Sequence, residues 1–461
     1  MKLKKGLQLI LTAAVLTLLM LSVAPTYGVA SRGGGEVSKE LYLIDLAKVV
    51  LTSENTSAWF ETPQNFSIDT YDQRAYIVSI GGSAWFDPEQ KSVGINITNG
   101  TLAYMVVKVV LRYPENIAGI VADILKDPEA FKEYQDRVPP DIKVKYVKTP
   151  AEVVSTIVKE DFVKWLKSKG YDVGTVSRAF IAYKAAQFIY VSGYIKYNGS
   201  PLPRSLDEVI RDKEGDCDDM SRVLVNLLWS LGIPARIEYG YVYLPWSDVF
   251  NVGESYIKFV DAGPHAWVSA YIPPLGWVSL DFLAGARLLY PAVITGTSMQ
   301  GTVSKEEIKE MEEFNIKVKY AEYIALHQAS ELPLNVEEIV KALVEEALSN
   351  VTQYAKKIEE KFGVGAETAN TTTPVATVTT TITTTATETI LRTVTTTITS
   401  YVTVTNITTT TVTENVSGGP AGSTTQQLYL TMIALITVMI GLLLLNTYVL
   451  IKRRRLRTQV G

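Results

Sequence analysis

The sequence is poor in the side chains that carry most covalent and metal chemistry. Among its 461 residues there is one cysteine and there are two histidines. One cysteine rules out an internal disulfide. One cysteine with two histidines is also too few for a structural zinc site, which draws four ligands from this set, so neither a metal nor another cofactor is expected. An excess of charge is missing too: 44 Lys and Arg stand against 48 Asp and Glu, a net −4. That balance offers no basic face for nucleic acid. What remains is ordinary core material, 47% hydrophobic against 20% charged, in a chain long enough for more than one folded unit.

Long apolar runs occur at both ends. Residues 1–30 combine Lys2, Lys4 and Lys5 with an apolar run from Leu7 to Val23 and small residues at Gly28-Val29-Ala30, the pattern of a secretory signal peptide. Residues 428–451 are apolar over a length that crosses a bilayer, and Lys452-Arg453-Arg454-Arg455-Leu456-Arg457 opens a basic tail over 452–461. The positive-inside rule then puts the tail in the cytoplasm and the body outside, a single-pass type I protein of the cell membrane. Between body and anchor, residues 369–426 are threonine runs broken by valine and isoleucine, read as a disordered, mucin-like stalk. Sequons recur there at Asn370, Asn406 and Asn415, and elsewhere at Asn55, Asn65, Asn96, Asn99, Asn198 and Asn350.

The single cysteine, one of the histidines and an aspartate occur in an ordered set. Cys217 lies in Gly215-Asp216-Cys217-Asp218-Asp219, His265 in Gly263-Pro264-His265-Ala266-Trp267-Val268, and Asp281 closes Gly276-Trp277-Val278-Ser279-Leu280-Asp281. A thiol, an imidazole and a carboxylate are the parts of a nucleophile, base and orienter. Asp216 can cap a helix beginning at Cys217, with Asp219 three residues on. Met220, Val223, Leu224, Leu227, Leu228 and Leu231 supply one apolar face, and Gly232 and Pro234 stop the helix. Cys217 then sits in the first turn, where free amides favour a thiolate. Asp216, Asp218 and Asp219 oppose that effect and read as solvated capping residues. His265 opens a strand whose alternate residues Ala266, Val268, Ala270 and Ile272 share a face. The turn Pro273-Pro274-Leu275-Gly276 returns a second strand that brings Asp281 back toward His265. Trp267 and Trp277 read as core or cleft wall.

These segments resemble the transglutaminase-like superfamily of papain-like cysteine enzymes. The residues that carry the resemblance are Ser205-Leu206-Asp207-Glu208-Val209-Ile210, the run around Cys217, Leu231-Gly232-Ile233-Pro234-Ala235-Arg236, and the runs around His265 and Asp281, with a preceding helix that ends near Tyr194-Ile195-Lys196-Tyr197. The resemblance covers about residues 176–285. It implies an α+β fold in which a helix carrying the cysteine packs on an antiparallel sheet carrying the other two residues. It also implies a Cys217, His265, Asp281 triad acting on a peptide or protein substrate. The family holds peptidases, amidases, acyl transferases and inactive members, so the triad does not fix the reaction. Signal, ectodomain, Thr-rich stalk and anchor together resemble archaeal cell-surface proteins.

The full layout expected is a mixed α/β region over 37–174, a transglutaminase-like domain over 175–290, a helical segment over 304–366, then stalk, transmembrane helix and tail. Within the first region Leu41 to Leu51 reads as helix, Tyr76 to Ile80 as strand, and Asn99-Gly100 as a hairpin turn between Ile95–Ile97 and Leu102–Leu111. His327 falls in the helical segment and reads as structural. Two rival functions stand beside the enzyme: a non-catalytic surface module that binds or builds through the same fold, and a stalked structural protein in which Cys217 joins two copies.

Overall fold

The computed structural model of the protein describes residues 35–364. The signal-like start, the Thr-rich tract, the C-terminal apolar stretch and the basic tail lie outside the described residues. Among the described residues no helix is long and apolar enough to cross a membrane.

The chain begins with seven strands: β1 (Glu36–Thr52), β2 (Thr56–Trp59), β3 (Phe66–Ile68), β4 (Tyr71–Gly82), β5 (Ala84–Asp87), β6 (Ser92–Ile97) and β7 (Leu102–Pro114). Helices follow: α1 (Ile117–Lys126), α2 (Pro140–Tyr146), α3 (Lys159–Ser168, entered through a π turn) and α4 (Arg178–Tyr190). The short strand β8 (Lys196–Tyr197), α5 (Leu206–Asp212) and β9 (Glu214–Gly215) lead to α6 (Cys217–Ser230). Strands β10 (Ala235–Val252), β11 (Ser255–Ile272), β12 (Gly276–Ser279) and β13 (Ala292–Ser298) come next, then α7 (Lys305–Lys317), β14 (Val318–Gln328) and α8 (Val336–Phe362). The expected α+β class is present, but the sheet is larger than the antiparallel one expected and includes one parallel pair, β11 with β14.

One sheet organises the whole. Its strands run in the order β13-β10-β11-β14-β1-β7-β4-β3, with β12 on β11. The two ends of that path meet. Gln73 of β4 donates to the Ile294 carbonyl at 2.7 Å and accepts from the Ile294 amide at 2.8 Å, while the Tyr71 hydroxyl donates to the Ala292 carbonyl. The sheet is thereby rolled into a barrel. Its interior is filled by alternate residues of the strands, among them Leu41, Leu43, Met105, Val107, Phe259, Trp267 and Ile324. Outside, α8 lays Ile339, Leu343, Ala347 and Val351 on Tyr42, Ile44, Leu46 and Tyr323. A second layer of helices covers the other side of β11, where Val223, Leu224, Leu227 and Leu228 of α6 pack with Phe180, Ala182 and Ile189 of α4 and with Ala266, Val268 and Ala270. Each fully buried Leu or Phe here contributes about 1.5–3 kcal/mol relative to exposure.

Several expectations change. Leu41 to Leu51 is strand, not helix: β1 is buried on both faces, so the period-2 alternation that marks a half-exposed strand is absent. The segment over 304–366 is not helical throughout, since β14 interrupts it, and His327 is a strand residue paired with Tyr42. The region over 37–174 is not separate, because β1 lies between β14 and β7 in the common sheet. Asn99-Gly100 does form a turn, with Gly100 at φ +78°, but the strands it joins enter different sheets: β6 pairs with β2 and β5, whereas β7 pairs with β1 and β4.

Candidate active site

The site lies where the helical layer meets the barrel, at the start of α6. Asp216 caps that helix, accepting from the Asp219 amide, and Asp219 returns the bond to the Asp216 amide, the reciprocal box expected. Gly232, at φ +72°, follows the far end. Cys217 is the first helical residue and half-buried. As first residue it has no helical carbonyl behind it for its own amide. The neighbouring acids are not solvated as expected. Asp219 is fully buried between two guanidinium groups, with Arg204 Nη1 at 2.7 Å and Arg222 Nη2 at 2.6 Å. Asp218 is held by Arg222 Nη1 at 2.6 Å. The three carboxylates lie within 4.8 Å of one another, close enough to share a cation in principle. Arg204 and Arg222 already supply that positive charge.

His265 does not open its strand but sits within β11, opposite Gly240 of β10. The strand continues upstream because Gly263 and Pro264 still pair with Val242 and Tyr241. Downstream, the β11–β12 pairing matches Ser269 with Ser279 and Ile272 with Gly276, which returns the chain to Asp281 as expected. His265 Nε2 is 2.9 Å from Asp281 Oδ2. With Nε2 so engaged, Nδ1 is the ring nitrogen left free, and Cys217 is near enough to join Asp281 in raising the imidazole. The structure thus brings Cys217, His265 and Asp281 together in that order.

Asp281 is held from all sides. Its Oδ1 accepts from the Leu283 amide at 2.8 Å and the Ala284 amide at 3.2 Å, and its Oδ2 accepts from the Ala286 amide at 2.7 Å. Burial pushes this carboxyl up, but the His265 charge, the His265 hydrogen bond and those amides outweigh it and hold it below its ordinary 3.8. Burial likewise works against a charged imidazole. The Asp281 charge and hydrogen bond win, Cys217 adds to them, and His265 is raised to about 10. At neutral pH the arrangement therefore favours imidazolium beside the sulfur, the state in which a cysteine is nucleophilic.

Trp267, Glu238 and Ser221 fix the position of the base. The Trp267 indole stacks on His265 with centroids 5.9 Å apart and planes 17° from parallel. Its Nε1 donates to Glu238 Oε2 at 3.0 Å. Glu238 is fully buried, and it binds Arg236 at 3.0 Å and Arg287 at 2.5 Å. Burial would raise its carboxyl, but the two guanidinium groups hold it low. On the other side, Ser221 of α6 donates to the Ala266 carbonyl at 3.0 Å and meets the Tyr190 hydroxyl at 3.0 Å, pegging the cysteine helix to the histidine strand. Sequence reasoning found none of Glu238, Arg287, Ser221 or Tyr190. The usable signal was Arg236 and Glu238 two residues apart in an apolar strand and Arg287 in an apolar loop, since such charges are buried only when paired.

Residues 174–282 match the family model of the Transglutaminase-like superfamily. That stretch is a transglutaminase-like domain. It is consistent with a cysteine peptidase- or acyltransferase-like enzyme. The chain is also similar to the uncharacterized protein YebA of Bacillus subtilis (strain 168), 38% identical over 69 residues, which is 15% of this chain and 9% of YebA. The chain thus spans about a tenth of the length of that curated relative. Among solved structures, a candidate cysteine protease from Cytophaga hutchinsonii overlays with a TM-score of 0.37 at 14% identity, covering 64% of this chain and 93% of that one. The periplasmic domain of TgpA from Pseudomonas aeruginosa gives 0.26 at 11% identity, covering 55% and 94%. All five sequence motifs of the resemblance lie inside or at the edge of the transglutaminase-like domain, and its three candidate site residues are the Cys217, His265 and Asp281 described above.

Proposed function

We propose that this protein is a membrane-anchored surface enzyme of archaeal type that cleaves peptide or amide bonds through a thiol acyl-enzyme. The observation that carries the reading is the placement of His265 between Asp281 and Cys217 at a helix N-terminus. In the first step Cys217 Sγ attacks the carbonyl carbon as thiolate, with the thiol proton held on His265. The tetrahedral intermediate collapses, the C–N bond breaks, and His265 gives its proton to the leaving amine. His265 then takes a proton from water, which attacks the thioester and regenerates the thiol as the acid leaves. Hydrolysis is favoured over transfer to an amine, because water is abundant outside a cell and no amine-binding motif stands out in the sequence. Asp281 keeps Nε2 protonated and stabilises the charged ring. The outer location and the anchor rest on residues 1–30, 369–426 and 428–461 as sequence.

The test needs no substrate. Iodoacetamide labelling of the folded body should be fast from about pH 5, well below the free-thiol value of about 8.5. His265→Ala should abolish that low-pH reactivity, and Cys217→Ser should abolish labelling altogether. A wild-type thiol that labels no faster than free cysteine, or only after denaturation, would sink the enzyme and leave a binding or structural module on the same fold. A disulfide-linked pair of copies would show as a reductant-sensitive dimer on electrophoresis.

A further inference from the structure

A three-stranded sheet in the order β2-β6-β5 packs one face on the barrel core through Val93, Ile95 and Ile97. Its other face carries a pair of tryptophans. Gly94 of β6 pairs with Trp59 of β2 on one side and with Trp85 of β5 on the other. The two indoles meet edge to face, with centroids 4.9 Å apart and planes at 66°. A Cβ on Gly94 would come within 2.6 Å of the Trp85 ring, so the indole needs a glycine beneath it. Trp59 is 42% exposed and Trp85 half-buried. Paired indoles on an open face offer a flat apolar surface with polar N–H groups at its rim. That surface suits the C–H face of a sugar ring, whose hydroxyls stay in water.

The next row of the same face holds an acceptor for such a ring. Residues two apart on a strand share a face and lie about 6.5–7 Å apart. Asn96 stands in that relation to Gly94, opposite Ser57 of β2, and its amide donates to the Ser83 carbonyl at 3.4 Å. Ser57 and Ser83 are small and exposed, which leaves open space around Asn96. Asn96 begins the sequon Asn96-Ile97-Thr98. Its side chain is exposed and makes no hydrogen bond among the described residues. The other sequons of the body differ. Asn198 Nδ2 donates to Glu214 at 2.8 Å, and Asn350 Nδ2 donates to the Glu346 carbonyl at 2.8 Å, so both nitrogens are in use. Asn65 and Asn99 are tied through Oδ1, to the Ala75 amide at 2.9 Å and the Thr52 amide at 2.7 Å. Asn55 is free but precedes β2, a row further from the indoles.

We infer that Asn96 carries an N-linked glycan whose first sugar ring lies over Trp59 and Trp85. The inference rests on the reading that the body lies outside the cell, and it does not depend on the chemistry of Cys217. In the modification a bond forms between Asn96 Nδ2 and the anomeric carbon of a glycan donated by a lipid-phosphate carrier. The bond from that carbon to the carrier oxygen breaks, the carrier leaves as its phosphate, and the amide nitrogen gives up one proton. The attached ring covers apolar surface that would otherwise stay open beside the edge strands β2 and β5, a surface on which other chains could pair.

The test uses the full chain made in a cell that N-glycosylates exported proteins. Peptide mass spectrometry of the purified protein should find a glycan on Asn96. Brief treatment of the folded protein with N-bromosuccinimide, read as oxidation of the peptides holding Trp59 and Trp85, should then be several-fold slower in wild type than in Asn96→Gln. Thr98→Ala keeps the asparagine but destroys the sequon, and it should match Asn96→Gln. Agreement of the two variants assigns the protection to the sugar rather than to the asparagine side chain. A bare Asn96 beside glycans at other sequons would overturn the inference and leave the outer location standing. A glycan on Asn96 with equal tryptophan oxidation in wild type and both variants would overturn the stacking. Tryptophans that stay protected in both variants would also overturn it, since a second copy or a free saccharide would then be the cover. A full chain with no glycan at any sequon would sink the outer location itself, and the role of Asn96 would fall with it.

Discussion

Asp281→Asn changes one atom and tests the whole charge arrangement. The carboxylate accepts four hydrogen bonds: from the Leu283 and Ala284 amides on Oδ1, and from the Ala286 amide and His265 Nε2 on Oδ2. A carboxamide has one oxygen and one NH₂. If the NH₂ takes the Oδ1 position, two backbone amides face a donor. If it takes the Oδ2 position, the Ala286 amide faces a donor and His265 Nε2 must become the acceptor. Either way at least one buried N–H is orphaned, at a cost of about 1–3 kcal/mol. In the second case the imidazole is also fixed in the tautomer that points N–H at the sulfur. A triad held in the wrong tautomer loses about four orders of magnitude in turnover.

The charge effect is larger than the stability effect. His265 is raised from 6.5 to about 10, against a burial contribution that works the other way, and Asp281 is the first of the groups that raise it. A shift of that size is worth on the order of 5 kcal/mol of preference for imidazolium. Without the Asp281 charge, burial is the strongest influence left and pulls the ring toward neutrality. Labelling by iodoacetamide should then change from a flat profile between pH 5 and 8 to one rising about tenfold per pH unit, as for a free thiol. At pH 6 a thiol titrating near 8.5 is ionised to about one part in 300, so the wild type should label about tenfold faster or more, even after allowing for the lower nucleophilicity of a stabilised thiolate. The sign for stability follows from the same pair. The His265 contribution is whole below 6.5 and is lost as pH rises through about 10, while the Asp281 contribution is whole above 3.8 and is lost as pH falls below it. Asp281→Asn that keeps the flat labelling profile would show that Asp281 does not set the charge of His265, and the reasoning would be wrong at its root.

Glu238→Gln strips the charge from a site that holds Arg236 and Arg287 at 3.0 and 2.5 Å. Breaking so buried a network should cost about 3–5 kcal/mol, read as a lower urea midpoint at unchanged slope. Ser221→Ala leaves the Ala266 carbonyl and the Tyr190 hydroxyl without their shared partner. Thermal melts should show a loss of about 1–3 kcal/mol, and iodoacetamide labelling at pH 6 should slow as the helix and strand loosen. Glu322, which burial raises to about 7, favours its neutral form in the fold. Its contribution to stability therefore falls as pH rises from about 4.5 to 7, and Glu322→Gln should match wild type at pH 4 and melt higher at pH 8. A gain at pH 4 that disappears at pH 8 would reverse that assignment.

What the sequence shows well is local. The capping box at Asp216 and Asp219, the apolar face of α6 and the turn that returns Asp281 toward His265 all depend on neighbours within a few residues, and each is present. The barrel was hidden because its defining contacts join distant segments. Strand β1 pairs with β14 from Leu41↔Gln328 to Thr52↔Val318, and nothing in either segment marks the other as its partner. Burial on both faces also removes the alternation by which a strand is recognised, so Leu41 to Leu51 shows no polar side. Glu238, Arg236 and Arg287 were hidden for the opposite reason. Charged residues in a sequence suggest surface, and only the folded arrangement shows that both guanidinium groups pair with Glu238 beside Trp267.

The position of the site at a seam explains why so much of the chain is committed to structures that carry no chemistry. The thiol belongs to the helical layer and the imidazole to the barrel, so their separation is set by how the two layers pack. Ala266 and Val268 seat α6 on one face of β11, and Trp267 anchors the other face inside the barrel. The strand itself is held along its upstream half by the parallel pairing of Tyr256 to Val260 with Ala321 to Ala325 of β14, which in turn is flanked by β1. A domain cut at 174 and 290 would leave that half of β11 as an open edge and expose Phe259 and Trp267 to water, the kind of edge that pairs with other chains. The geometry of Cys217 against His265 therefore depends on strands contributed from both sides of the transglutaminase-like segment, and the catalytic unit of this protein is larger than the stretch whose motifs identify it.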